Sequence, residues 1–122
     1  MDGVVLIVDD DERNARLARD VLEAAGLATL VASTAEAGIS LACERSPDVV
    51  LLDLRLPDLD GAEALRRLAT DPRTAGIPVV ASSALAAADV EAWARGLGFA
   101  DYVEKPIDVR TLPDRIRSAL AR

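Results

Sequence analysis

Apolar runs alternate with amphipathic stretches along the whole chain, and their spacing assigns most of it to elements. Val4-Val5-Leu6-Ile7-Val8 is an unbroken apolar run, and Val49-Val50-Leu51-Leu52 is a second that ends on Asp53. Such runs, largely β-branched, fit strands covered on both faces, as in a parallel sheet. Ala28–Ala32, Val79–Ser82 and Asp101–Glu104 are the other strand candidates. Helical spacing marks the stretches between them, near Glu12–Ala25, Thr34–Glu44, Ala62–Ala69, Asp89–Leu97 and Thr111–Ala121. In the first, Leu17, Ala18, Val21, Leu22 and Ala25 share one face and Gly26 follows as a C-cap. Ser33 or Thr34 supplies an N-cap for the second. Pro113 would break a helix interior, so Thr111 is expected as the N-cap and Asp114 as its capping-box acid, leaving Pro113 in the first turn.

Five strand–helix units in 122 residues predict one α/β domain over residues 1–122, a doubly wound five-stranded parallel sheet of order 2-1-3-4-5. Linkers, repeats and low-complexity tracts are missing from the sequence. The composition is 51% apolar, yet Trp93, Phe99 and Tyr102 are the only aromatic residues, so Val, Leu and Ala must fill the interior.

A net charge of −7 argues against nonspecific binding to nucleic acid or an anionic membrane, both of which need a basic face. The chain has no histidine, which excludes a histidine base, a histidine zinc ligand and a histidine phosphocarrier. Cys43 is the single cysteine, so an intrachain disulfide is impossible; its apolar neighbours suggest a buried, inert thiol. No signal-peptide pattern and no apolar run of about 20 residues is present, which leads to the expectation of a cytoplasmic protein.

The chemistry gathers where strands end. In open α/β sheets, ligands bind outside the carboxyl ends of the strands. The first strand candidate runs into Asp9-Asp10-Asp11, the third ends on Asp53, Ser83 follows the fourth, and Lys105, the only lysine, follows the fifth. In the order 2-1-3-4-5 these four strands are neighbours. Crowded carboxylates repel unless a cation joins them. Hard carboxylate oxygens suit Mg²⁺ or Mn²⁺. Together with a lysine and a hydroxyl, the set describes phosphoryl transfer to an aspartate. Asp11 reads instead as a solvated acid at a helix start. Asp58 and Asp60 resemble the Asp-x-Asp nucleophile pair of haloacid dehalogenase-like phosphatases, but Pro57 puts them in a loop rather than directly after a strand. Trp93 fits a partly buried core position and a partner-facing anchor equally well.

Five pieces in order resemble the receiver domains of bacterial two-component response regulators over essentially the whole chain. They are Val8–Asp10, Leu51–Leu54, Leu56–Gly61, Ser83-Ala84 and Lys105-Pro106. The resemblance implies a flavodoxin-like fold with Asp53 as phosphoacceptor, and Asp9 and Asp10 as acids that bind Mg²⁺ or Mn²⁺ together with Asp53 and the main-chain carbonyl of Arg55. It further implies Ser83 as a hydroxyl that moves towards the phosphoryl group, Lys105 as its ionic partner, Tyr102 as a switch aromatic, and a cis Lys105–Pro106 bond. Arg55 and Leu85 fall where the family tunes loss of the phosphoryl group.

The implied function is that of a single-domain response regulator, catalysing nothing beyond its own phosphorylation and dephosphorylation. A sensor histidine kinase or a histidine phosphotransfer protein would be the donor, docking near the first helix. A downstream protein would read the face formed roughly by residues 87–121, with no nucleic acid or membrane partner. Three alternatives remain: a phosphorelay intermediate, a receiver-fold scaffold that needs no phosphorylation, and a metal-dependent phosphatase.

Overall fold

The strands are β1 (Val4–Val8), β2 (Ala28–Ala32), β3 (Val49–Asp53), β4 (Val79–Ser83) and β5 (Asp101–Glu104). The helices are α1 (Glu12–Ala24), α2 (Ala35–Arg45), α3 (Gly61–Thr70), α4 (Ala87–Leu97) and α5 (Leu112–Leu120). They alternate in a computed structural model that describes residues 3–121. All strand pairs are parallel and the sheet order is β2-β1-β3-β4-β5, as expected. Among the described residues, no helix is long and apolar enough to cross a membrane.

Strand alternation divides the core into two layers. Leu6, Val8, Val50, Leu52, Ala81 and Tyr102 pack with Ala35 and Ala42 of α2, Ala64, Leu65 and Leu68 of α3, and Ala94 of α4. On the other face Val5, Ile7, Val49, Leu51, Val80 and Val103 pack with Ala15, Ala18 and Leu22 of α1 and Leu112, Ile116 and Ala119 of α5. Every residue of β3 and β4 is buried, which explains their unbroken apolar runs before the polar ends. Two helical glycines permit close approach. A Cβ on Gly38 would lie 2.7 Å from Val8 Cγ2, and one on Gly61 would lie 2.4 Å from Leu54 Cδ2 and 2.9 Å from Leu54 Cα.

The capping expectations hold for the early helices. Leu27 N–H bonds to Leu22 O and Gly26 N–H to Glu23 O, closing α1 with Gly26 at φ +94°. Thr34 Oγ1 accepts from Ala37 N–H at the start of α2. The expectation for α5 needs correction. Thr111 occupies the N-cap position without a side-chain cap bond: its hydroxyl donates to Asp108 O at 3.5 Å, and its N–H and that of Leu112 go to the same oxygen. Asp108 and the following turn thus feed the helix, and no capping box is made. Helix α4 starts at Ala87, two residues ahead of the expected Asp89. Its N-cap residue, Ala86, offers no side-chain acceptor, and Glu104 of β5 instead accepts from Ala87 N–H at 2.7 Å.

Cys43 is half-buried rather than fully buried, with Sγ 3.6 Å from Asp71 Oδ2. Burial pushes its thiol above the ordinary value, which favours the protonated form over the nucleophilic thiolate. Trp93 is 50% exposed, which removes it from the core.

Candidate functional site

Four neighbouring strands end at one edge of the sheet, and each delivers one part of the site. Asp9 follows β1 directly, its N–H bonded to Ala32 O of β2 at 3.0 Å. Asp53 is the last residue of β3, in register with Ser82 of β4. Ser83 closes β4, and Lys105 follows β5 with its N–H on Ser83 O at 2.7 Å. The ends of the strands are therefore knitted by backbone bonds before any side chain is considered.

The lysine lies between two acids. Lys105 Nζ is 2.9 Å from Asp9 Oδ2 and 3.1 Å from Asp53 Oδ2. The remaining oxygens take backbone donors: Asp9 Oδ1 accepts from Asp11 N–H at 2.9 Å, and Asp53 Oδ1 from Arg55 N–H at 3.0 Å. Asp9 and Asp53 are only 7% and 6% exposed, whereas Asp10 is exposed. Carboxylate oxygens of these three residues, one from each, lie within 4.8 Å of one another.

Burial raises the Asp53 carboxyl above its ordinary value; the Arg55 N–H and the Lys105 ammonium oppose this without overcoming it. Burial alone would lower Lys105, but the Asp9 and Asp53 carboxylates outweigh it and hold the ammonium above its usual range. Two buried carboxylates share one ammonium and a third, exposed one lies close to them, which leaves an excess of negative charge. That donor set, hard oxygens only, fits Mg²⁺ or Mn²⁺.

Ser83 and Tyr102 form a second layer. Ser83 Oγ accepts from Leu85 N–H at 3.2 Å. No hydrogen bond joins Ser83 Oγ to Asp53 or Lys105 among the described residues. Tyr102 is 1% exposed, and its hydroxyl donates to Leu85 O, with Ser83 O at 3.4 Å. Burial raises the phenol's pKa, so it remains a donor. The Lys105–Pro106 bond is cis, as expected.

The other acids of the loops have structural partners. Asp11 caps α1, accepting from Arg13 and Asn14 N–H, in keeping with its reading as a helix-start acid. Asp60 caps α3 through Glu63 N–H at 2.8 Å. Asp58 accepts from Ala35 and Glu36 N–H at the start of α2. The sequence reading missed the part that Asp58 and Glu104 play at these helix starts. Their partners lie 22–23 and 17 residues away, so no local pattern marks them.

Comparison with known proteins agrees with this geometry. The response regulator receiver domain family matches residues 5–117. The polar-differentiation response regulator DivK of Brucella ovis is 37% identical over 116 residues, covering 95% of this chain and 94% of that protein. The receiver domain of Francisella response regulator 1452 superposes with a TM-score of 0.89 at 28% identity, covering 98% of each chain. The N-terminal domain of a response regulator receiver protein from Methanoculleus marisnigri gives 0.79 at 33% identity, again over 98% of each. Fold, site and sequence thus lead to one assignment: the chain belongs to the receiver domains of response regulators.

Proposed function

We propose that Asp53 accepts a phosphoryl group from a histidine kinase or a histidine phosphotransfer protein, and that this modification controls contact with another protein. The observation that carries the reading is the placement of Asp53 beside Asp9, Asp10 and Lys105 at the carboxyl edge of the sheet. A carboxylate oxygen of Asp53 attacks phosphorus, the phosphorus–nitrogen bond of a phosphohistidine donor breaks, and its electron pair leaves with the imidazole. Lys105 offsets negative charge on the incoming group, and Arg55 N–H holds the Asp53 carboxylate in place. Asp9, Asp10, Asp53 and the main-chain carbonyl of Arg55 would hold a divalent cation, which supplies positive charge opposite the phosphoryl oxygens. The protein turns over no other substrate in this reading. Residues 1–122 act as one receiver domain in the cytoplasm.

The response then runs through β4. Ser83 exchanges its bond with Leu85 N–H for one to a phosphoryl oxygen, which frees one side of the residue whose carbonyl Tyr102 holds. The two states differ in the contacts they make with the phosphoryl group, which is what biases such an equilibrium. A downstream protein would read the change on the face of α4, β5 and α5, residues 87–121.

The test is intact mass after incubation with acetyl phosphate and Mg²⁺, beside an Asp53→Asn control. The expected result is a gain of about 80 Da, one phosphoryl group, that the control lacks. Absence of an adduct from both acetyl phosphate and a phosphohistidine donor would overturn the reading in favour of a phosphorylation-independent scaffold.

A further inference from the structure

We infer that Asp58 is a positioning residue for the Asp53 site, acting by fastening the loop between β3 and α3 to the start of α2. The inference rests on the phosphoacceptor reading above and adds a residue to it. Residues 54–60 form a narrow loop. At its base Arg55 N–H holds Asp53 Oδ1, Arg55 and Asp60 make an antiparallel bridge, and Gly61 N–H bonds to Leu54 O at 3.0 Å. Towards the tip, Asp58 uses both carboxylate oxygens: Oδ1 accepts from Ala35 N–H at 3.0 Å and Oδ2 from Glu36 N–H at 2.9 Å.

Those N–H groups open α2 and have no partner within their own helix. A carboxylate there is favoured by the helix dipole and by charge-assisted bonding. The two bonds accordingly hold Asp58 below the ordinary carboxylate range. A cap meant only to stabilise α2 would need no residue from a distant loop, since Thr34 already serves Ala37 N–H from within the same segment. What Asp58 adds is a link between elements. Glu36 extends it, its side chain reaching Arg67 of α3 at 2.7 Å. Loop, α2 and α3 thus close into a frame, and Arg55, whose N–H steadies Asp53 and whose carbonyl would face the cation, sits at the frame's base. Loss of the tether removes no proposed ligand but lets Arg55, with its N–H and carbonyl, wander.

The experiment compares Asp58→Ala with Thr34→Ala, which removes a cap of the same helix without touching the loop. Mg²⁺ affinity is measured by calorimetry, exchange of the Arg55 amide by NMR, and thermal unfolding alongside. Asp58→Ala should weaken Mg²⁺ binding by about tenfold, the lower end of what losing an outer partner of a metal site costs. It should also speed Arg55 exchange several-fold, while Thr34→Ala changes neither at a comparable loss of stability. Asp58→Asn, which keeps one acceptor oxygen, should fall between. Unchanged Arg55 exchange in Asp58→Ala, or equal changes in both parameters in Thr34→Ala, would overturn the inference. If the wild-type protein bound no Mg²⁺, the phosphoacceptor reading would fail, and Arg55 exchange alone would then decide whether the tether exists.

Discussion

Ser83 and Tyr102 are joined through a single residue: Leu85 gives its N–H to Ser83 Oγ at 3.2 Å and its carbonyl to the Tyr102 hydroxyl. The hydroxyl at the end of β4 and the aromatic ring of β5 therefore share one short segment. Movement of Ser83 towards Asp53 cannot leave that segment untouched.

Removing the tyrosine hydroxyl tests the link. Tyr102→Phe keeps the buried ring but deprives Leu85 O of its donor; Leu85 itself is exposed, so the loss is that of one ordinary hydrogen bond, about 0.5–1.5 kcal/mol. Urea unfolding should show that loss. Phosphorylation of Asp53 by acetyl phosphate should survive, since the hydroxyl touches none of the site carboxylates.

The site itself is held against its own stability. Asp53 has a raised pKa in the fold, so its folded form favours the proton. Its stabilising contribution is present below the unfolded value and is lost as pH rises through the folded one. At neutral pH the ionised, buried carboxylate is therefore a burden. Asp53→Asn in chelator at pH 7 should melt a few degrees higher than wild type. Adding Mg²⁺ should narrow the gap by stabilising the wild type more. Equal melting temperatures in chelator would contradict the burial argument.

Lys105 is the opposite case. Its side chain is 12% exposed and those of its two partners 7% and 8%. Lys105→Ala strands both carboxylates, and removing one member of a buried ion pair costs about 3–5 kcal/mol. Because its folded pKa is raised, the contribution of Lys105 is complete below the unfolded value and disappears only as pH rises through the folded one, in alkali. Denaturant unfolding of Lys105→Ala at pH 7 should show a deficit of that order, partly recovered with Mg²⁺.

Acid tests the surface of α3. Hydrogen bonds from Arg66, then Arg67, hold Glu63 down at about 2, against an ordinary value of 4.5. The depressed value makes its contribution present above the unfolded pKa and lost as pH falls from there through about 2. Glu63→Gln should flatten the acid-unfolding curve in that window. The difference should shrink with added salt, since the pair is exposed and screened.

Strands and order were readable because a parallel strand covered on both faces demands a continuous apolar run that stops where the ligand edge begins. Asp9, Asp53 and Lys105 were readable for the same reason, as polar residues placed at those stops. The less legible features depend on contacts distant in sequence. Helix α4 begins early because Glu104 supplies its first acceptor, and α5 forgoes its capping box because Asp108 O takes the Thr111 N–H. The capping role of Asp58 was hidden because its partners, Ala35 and Glu36, lie 22–23 residues away. Trp93 stood on the boundary of its helix's apolar stripe, and only packing could place it outside.

Lys105 carries the single lysine amine of the chain, and every other basic side chain is arginine. Guanidinium groups resist acylation under conditions where a free amine reacts. An amine-selective reagent would thus find no lysine on the outer surface to label. The one lysine it could modify is wedged between Asp9 and Asp53. Acylation at that position would erase the site's fixed positive charge, so the rate of labelling at Lys105, resolved from that of the α-amino terminus, reports how often the pocket opens.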